Sequence, residues 1–266
     1  AEGRRVFRRP APREGRVGGL RRAKMRRFLI EAGTPGECVR LPEGEAQHAR
    51  RVLRLKPGDR VQLMDGQGAL YEAELTEVGD AVMARLGEKL NGAPPPVALT
   101  LYQGLPKFDK LEFIAQKAAE LGASRLVPVK MARSVVKLTD AEGAKKRERL
   151  EKIAREAMKQ CGRAGSLEIS EPVSFKAALS AFRQQDLMLM PWEEAWERRL
   201  KDEHASCPGA RSVGLLIGPE GGIAPEEAAL AAEAGARPVT LGPRILRAET
   251  AAVAAMAVAM SLWGDL

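Results

Sequence analysis

From residue 97 to the C-terminus the chain alternates short apolar runs with amphipathic ones, and this constrains the fold more than any other feature. Residues 97–101, 125–129, 186–190, 213–217 and 238–241 read as strands. Residues 108–121, 145–160, 175–182, 192–200, 225–234 and 249–262 read as helices. The run 145–160 places Leu150, Ile153, Ala154, Ala157 and Met158 on one face, with Gly162 just past its end. Gly122 stands in the same place after 108–121. Parallel strands need crossovers, and helices that make them must pack on the sheet. The expected fold is therefore α/β, with a mostly parallel sheet covered on both faces.

Residues 26–90 follow another rule. Phe28, Leu29 and Ile30 form an apolar run, residues 59–64, 69–78 and 81–86 alternate, and residues 46–55 read as a short helix. Turns at Lys56-Pro57-Gly58-Asp59 and Asp65-Gly66-Gln67-Gly68 suit a small β-barrel. The stretch Asn91-Gly92-Ala93-Pro94-Pro95-Pro96 is a stiff linker, so the expected domains are 25–93 and 97–266. Residues 1–24 are rich in Arg, Gly and Pro without an apolar period; they read as a disordered basic extension, with Met25 as the natural start.

Charge has to be apportioned before it is interpreted. The net charge is +8, but residues 1–24 carry +7 of it, leaving the body near neutrality. Within that body, residues 104–176 hold 16 basic and 10 acidic groups, so any basic face belongs to the middle of the chain. Three scattered cysteines (Cys38, Cys161, Cys207) without a C-x-x-C spacing disfavour a disulfide framework or a zinc ribbon. Two histidines, His48 and His204, are too few for a histidine-rich metal site; His48 reads as structural and His204 as a loop residue without a role. Cys161 reads as a packing residue, with no histidine nearby in sequence to activate it. No 18-residue window lacks charge, which excludes a membrane-spanning helix and makes the cytoplasm the expected compartment.

Two loops follow apolar strands at their C-terminal ends, where open α/β sheets bind ligands. The first is Ile217-Gly218-Pro219-Glu220-Gly221-Gly222, whose glycines let the backbone turn sharply and offer bare N–H groups. Its spacing matches neither G-x-G-x-x-G nor a P-loop, which disfavours a dinucleotide. The second is Leu241-Gly242-Pro243-Arg244-Ile245-Leu246-Arg247-Ala248-Glu249-Thr250, with two arginines in an irregular turn. Glu249 then sits in the first turn of the last helix, where an acid complements the dipole. Lys107, Lys110 and Arg163 fall at loop ends where a polyanion can be gripped, while the cations at 145–149 suit a solvated helix face.

These residues resemble a known family. LPKFDK at 105–110, QKAAELG at 116–122, KKRERLEKIAREAMKQCGR at 145–163, IGPEGG at 217–222 and LGPRILRAETA at 241–251 are similar to the RsmE family of ribosomal RNA small subunit methyltransferases, of the SPOUT class. RRF at 26–28 and HARRVLRLKPGD at 48–59 resemble that family's PUA-like RNA-binding domain. One departure is Leu167, where the family pattern leads one to expect proline.

The resemblance implies a C-terminal domain with a deep trefoil knot, a homodimer packed through it, and S-adenosylmethionine as cofactor. It also implies methylation of uracil N3 at one decoding-region uridine of 16S rRNA in the small ribosomal subunit. Carried over, the cofactor pocket comprises Met190, Pro191, Ile217, Gly218, Pro219, Glu220, Gly221, Gly222, Leu241, Gly242, Arg244, Ile245 and Leu246. Arg247 is expected nearest the reacting base, stabilising a uracil anion, with Glu249 and Thr250 orienting it. RNA is expected along Arg26, Arg27, Arg50, Arg51 and Arg54, continued by Lys107, Lys110 and Arg163; no metal is implied. The rivals are the same fold acting on another RNA site, and a non-catalytic assembly factor.

Overall fold

A computed structural model describes residues 25–31, 36–66, 68–91, 95–107, 109–163 and 165–266. The basic extension at 1–24, residues 92–94 of the Pro-rich linker and Phe108 lie outside the described residues.

The N-terminal lobe is a five-stranded sheet in the order β1-β3-β4-β5-β2. Its strands are β1 (Arg27–Leu29), β2 (Cys38–Arg40), β3 (Arg60–Met64), β4 (Ala69–Val78) and β5 (Val82–Asn91). β1 runs parallel to β3 and the other pairings are antiparallel, with register shifts in β4–β5 that let the ribbon curl. Phe28, Val39, Leu41, Val61, Leu63, Leu75 and Val82 fill its interior. The helix expected at 46–55 starts three residues earlier and is split: α1 (Glu43–Gln47) runs into a π-helical turn at His48–Val52. Arg54 just after it takes a positive φ of 53°, which ends the helix and sends the chain back to β3.

The C-terminal lobe is a parallel sheet in the order β12-β10-β11-β6-β7-β8, with β9 also pairing β7. Its strands are β6 (Ala98–Gly104), β7 (Arg125–Lys130), β8 (Glu168–Ile169), β9 (Val173–Ser174), β10 (Leu187–Pro191), β11 (Ser212–Ile217) and β12 (Ala236–Val239). One face is covered by α2 (Lys110–Glu120), α3 (Asp140–Cys161), α5 (Leu200–Ser206) and α7 (Ala248–Trp263). The other is covered by α4 (Phe175–Phe182) and α6 (Pro225–Glu233). The helix expected at 145–160 begins five residues earlier, because Thr139 and Glu142 make a reciprocal cap that satisfies its first amides. Leu167 is buried in the main core, so an aliphatic side chain fills the place where a proline is expected.

Three expectations are corrected. Residues 192–200 do not form a helix. The chain runs irregularly until α5, since the Arg198 carbonyl accepts the Thr240 N–H and Arg199 bridges Thr240. His204 lies within α5, edge-on to Trp263 at 5.1 Å between ring centroids, rather than in a loop. Cys161 is exposed at the end of α3 rather than packed.

The lobes share a core and a polar seam. Met64 and Leu70 from the small sheet join the main hydrophobic cluster, with Leu29 and Leu90 against it. Arg27 donates from Nε to Gln62 Oε1 at 2.9 Å and from Nη1 to the Lys159 carbonyl at 3.3 Å, at the negative end of α3. Lys159 Nζ meets Glu45 at 2.7 Å across the same seam. Among the described residues, no helix is long and apolar enough to cross a membrane, and no cluster of His, Cys, Asp or Glu suits a metal ion.

Candidate active site

Strands β10, β11 and β12 lie side by side and parallel, so the loops after them leave the same edge of the sheet. Those loops wall two adjoining cavities. The larger, about 470 Å³, is lined by the whole glycine-rich loop Ile217 to Ile223 together with Ile245, Leu246, Arg247 and Lys110. The smaller, about 100 Å³, lies between the segment after β10 and residues Thr240 to Leu246. Pro191, Glu193, Ile245, Leu246 and Ala251 belong to both walls, so the two spaces are one bipartite site. A third concavity, between α2 and α3, is lined by Gln116, Lys152 and Ile153 and lies away from these strand ends.

The glycine loop is held from beneath and from one side. Beneath it, fully buried Gln103 donates from Nε2 to the Gly104 carbonyl at 3.0 Å and the Gly218 carbonyl at 3.3 Å. Beside it, Arg133 donates to the Gly221 carbonyl at 2.9 Å, and Glu227 accepts the Ala132 N–H at 2.8 Å. Gly222 has φ of +73°, a conformation that favours glycine, and an added side chain would displace the Glu193 carboxylate that lies against it.

Charge in the wall is largely cancelled. Lys110 Nζ lies 3.0 Å from Glu220 and 3.2 Å from Glu249, tying the glycine loop to the start of α7. Burial pushes the Glu220 carboxyl up, but the Lys107 N–H at 2.9 Å and the Lys110 ammonium outweigh it, and its pKa lies below the ordinary value. The Glu220 hydrogen bond, together with Glu249, raises the pKa of Lys110. Arg247, at the N-cap of α7, is exposed in the wall of the larger cavity.

Of the thirteen residues expected to contact a cofactor, every one but Met190 lines these cavities. Met190 is fully buried in the core beneath, because strand alternation turns it inward while Pro191 faces the site. Arg247 lines the larger cavity, Glu249 reaches the site only through Lys110, and Thr250 lies on the exposed face of α7 outside both linings. Trp192, Glu193, Trp196 and Thr240 also belong to the walls, and the pattern of 192–200 conceals three of them by mimicking a helix.

The expected RNA track divides. Arg26, Arg51 and Arg54 are exposed, and Lys107 is half-buried near the glycine loop. Arg50 is held by Glu43 at 2.7 Å and by the Asp80 carbonyl at 2.9 Å. Arg27 serves the lobe seam, and Lys110 the acidic pair. Arg163 departs most from expectation: its guanidinium donates to the Ala123 carbonyl at 2.7 Å and the Ser166 carbonyl at 3.2 Å, and burial lowers its pKa. Nor is the cation-rich α3 a free basic face. Lys146 and Arg149 both reach Glu112 at 2.8 Å, and Arg147 meets Glu171 at 3.3 Å.

Comparison with known proteins agrees with this architecture. An RNA methyltransferase domain model matches residues 93–260, and an RNA methyltransferase PUA domain model matches residues 41–81. The Ribosomal RNA small subunit methyltransferase E of Bacillus subtilis is 36% identical over 218 residues, covering 80% of this chain and 85% of that protein. Its counterpart in Mycobacterium tuberculosis is 34% identical over 235 residues, covering 86% and 88%. The crystal structure of the Neisseria gonorrhoeae enzyme of that name, bound to S-adenosyl methionine, superposes with a TM-score of 0.81 at 32% identity over 91% of this chain and 99% of that one. With both lobes matched and the paired loops at one sheet edge, the chain belongs to the ribosomal RNA small subunit methyltransferase E family.

Proposed function

We propose that this protein transfers a methyl group from S-adenosylmethionine to uracil N3 of a single decoding-region uridine in 16S rRNA. The observation that carries the reading is the meeting of the glycine loop and the residue 241–247 loop in one bipartite cavity, with an exposed Arg247 at its wall. The residues fit the donor. Backbone groups and apolar side chains (Leu241, Ile245, Leu246) suit an adenosine, and the adjoining open space suits a base. The donor, once bound, supplies an electrophilic methyl on a positive sulfur.

The protein's own part is placement and charge. Uracil N3 first gives up its proton to solvent, which leaves negative charge on the ring; the N–C bond would then form as the methyl–sulfur bond breaks, and the sulfur would leave as a neutral thioether. Arg247 stabilises that charge; Lys110 cannot, because Glu220 and Glu249 already neutralise it. Glu249 acts by fixing Lys110, and through it the glycine loop, against the start of α7. Apolar walls exclude water from the reacting atoms, and alignment supplies much of the rate.

The small lobe is the RNA-holding part, with Arg26, Arg51 and Arg54 as the exposed contacts. A homodimer is supported by α7, where Val253, Ala254, Ala257 and Val258 form an apolar stripe that the rest of the chain leaves partly uncovered. A trefoil knot is supported by the passage of the 241–247 loop from the edge strand β12 to α7 on the sheet face shared with α2.

The test uses small ribosomal subunits that lack this modification, incubated with the protein and labelled S-adenosylmethionine, then digested and identified by mass. N3-methyluridine at one position, lost with Arg247→Ala, is the expected result. Label on a ribose or on another base overturns the assignment of N3.

A further inference from the structure

We infer that Glu193 is the carboxylate that meets the positive sulfonium of the methyl donor, and so sets the preference for S-adenosylmethionine over its demethylated product. The inference rests on the methyl-donor reading above and adds a specificity-determining residue to it.

Position is the first ground. Glu193 lines both the narrow and the open cavity, so it stands where the nucleoside end of a ligand gives way to the reacting end. The sulfur of the donor is the atom that joins those two ends. Glu193 is held at the junction by the chain itself. It follows Pro191 and Trp192 at the end of β10, where the Trp192 N–H bonds the Val239 carbonyl at 3.1 Å. Its carboxylate lies against Gly222, which has no side chain to displace it.

Charge is the second ground. Glu220 and Glu249 share Lys110, so neither offers net negative charge to a ligand. Among the described residues, Glu193 has no cationic partner, and it is exposed. It is thus the one acid in the cavity linings that a cationic ligand would not have to take from an ammonium already bound to it. Trp196, 69% exposed and in the wall of the narrow cavity, adds an aromatic face, and an onium ion favours the pairing of carboxylate and ring. The demethylated product has a neutral thioether at the same atom and keeps the nucleoside and amino-acid ends, so it differs only in the sulfonium charge and the methyl group that carries it.

The experiment is calorimetric titration of wild-type protein and Glu193→Gln with S-adenosylmethionine and, separately, with S-adenosylhomocysteine. Glutamine keeps the shape and one acceptor oxygen and removes the charge, and thermal unfolding confirms that the variant is folded. The expected result is a loss of about fivefold in affinity for S-adenosylmethionine, with S-adenosylhomocysteine unchanged within twofold. Equal weakening of both ligands assigns the carboxylate to the shared amino-acid end and overturns the inference. Weakening of neither overturns it as well. Wild-type protein that binds neither ligand overturns the methyl-donor reading itself, an outcome distinct from a failure of Glu193 alone.

Discussion

Substituting Gly104 by alanine tests whether the end of β6 fixes the glycine loop. A methyl group there would lie 2.6 Å from both Pro219 N and Pro219 Cδ, and 2.8 Å from Met131 Sδ. Methionine can swing away, but a proline ring and its backbone nitrogen can yield only by moving the loop that Gln103 holds at Gly218. Overpacking of this kind costs about 1–3 kcal/mol. Restricting the unfolded chain returns about 0.4–1 kcal/mol, for a net loss of about 1–2 kcal/mol. At about 2–4 °C per kcal/mol, the midpoint falls by roughly 2–8 °C. If binding S-adenosylmethionine must restore about 1.4 kcal/mol of that displacement, affinity falls tenfold. The assays are a melting curve and a calorimetric titration, with Gly44→Ala as control. Gly44 lies in α1, far from the site, with nothing within 4 Å of an added methyl. A Gly104→Ala protein with affinity within twofold of wild type would refute the coupling of β6 to the loop.

Three further outcomes follow from charge placement. Glu203 is fully buried between Arg198 and Arg237, and Glu203→Gln is expected to cost about 2 kcal/mol in urea unfolding, below the full cost of a broken buried pair because both arginines are half-exposed. An effect under about 0.5 kcal/mol would remove its role in strapping the 192–199 segment to β12. Arg27→Ala is expected to loosen the seam between the lobes, read as faster limited proteolysis near residue 95 with donor affinity intact; unchanged cleavage refutes it. Glu112 and Glu220 both titrate below the ordinary value of 4.5: burial raises each, and Lys146 with Arg149, or Lys107 N–H with Lys110, more than offsets it. Their stabilisation is therefore present above pH 4.5 and lost as pH falls through the lowered folded values, and Lys110→Gln should flatten the acid limb of a midpoint-against-pH curve.

The α/β lobe was largely legible because its elements obey local rules. Apolar strands bounded by Gly and Pro, and helices with a repeating apolar face, appear in the chain where the structure puts them. The misreadings have physical causes. Residues 192–200 carry Trp192, Trp196 and Leu200 at helical spacing, yet the main chain at Arg198 and Arg199 is committed to Thr240, far along the chain. No local periodicity reports such a pairing. The start of α3 was legible in principle, since Thr139 and Glu142 have the spacing of a reciprocal cap before the helical run.

The site was legible where it depends on backbone and hidden where it depends on pairing. Glycines at 218, 221 and 222 and the irregular turn at 241–247 mark themselves, because few other roles need so many small or strained residues in sequence. Cations do not mark themselves: Arg163 and Arg247 both stand beside turns, and the chain alone does not say which is already satisfied. Arg163 is spent on the carbonyls of Ala119 and Ala123, at and just past the C-terminal end of α2, and on that of Ser166. Arg247 caps α7 with its backbone, and its guanidinium remains exposed at the cavity. The same partition separates the acids, since Lys110 takes Glu220 and Glu249 and leaves Glu193. A neutral body can therefore act on a polyanion and a cationic donor with few charges, provided that the fold consumes the others. On that reasoning, function resides in the residues left without partners, and only tertiary structure reveals which those are.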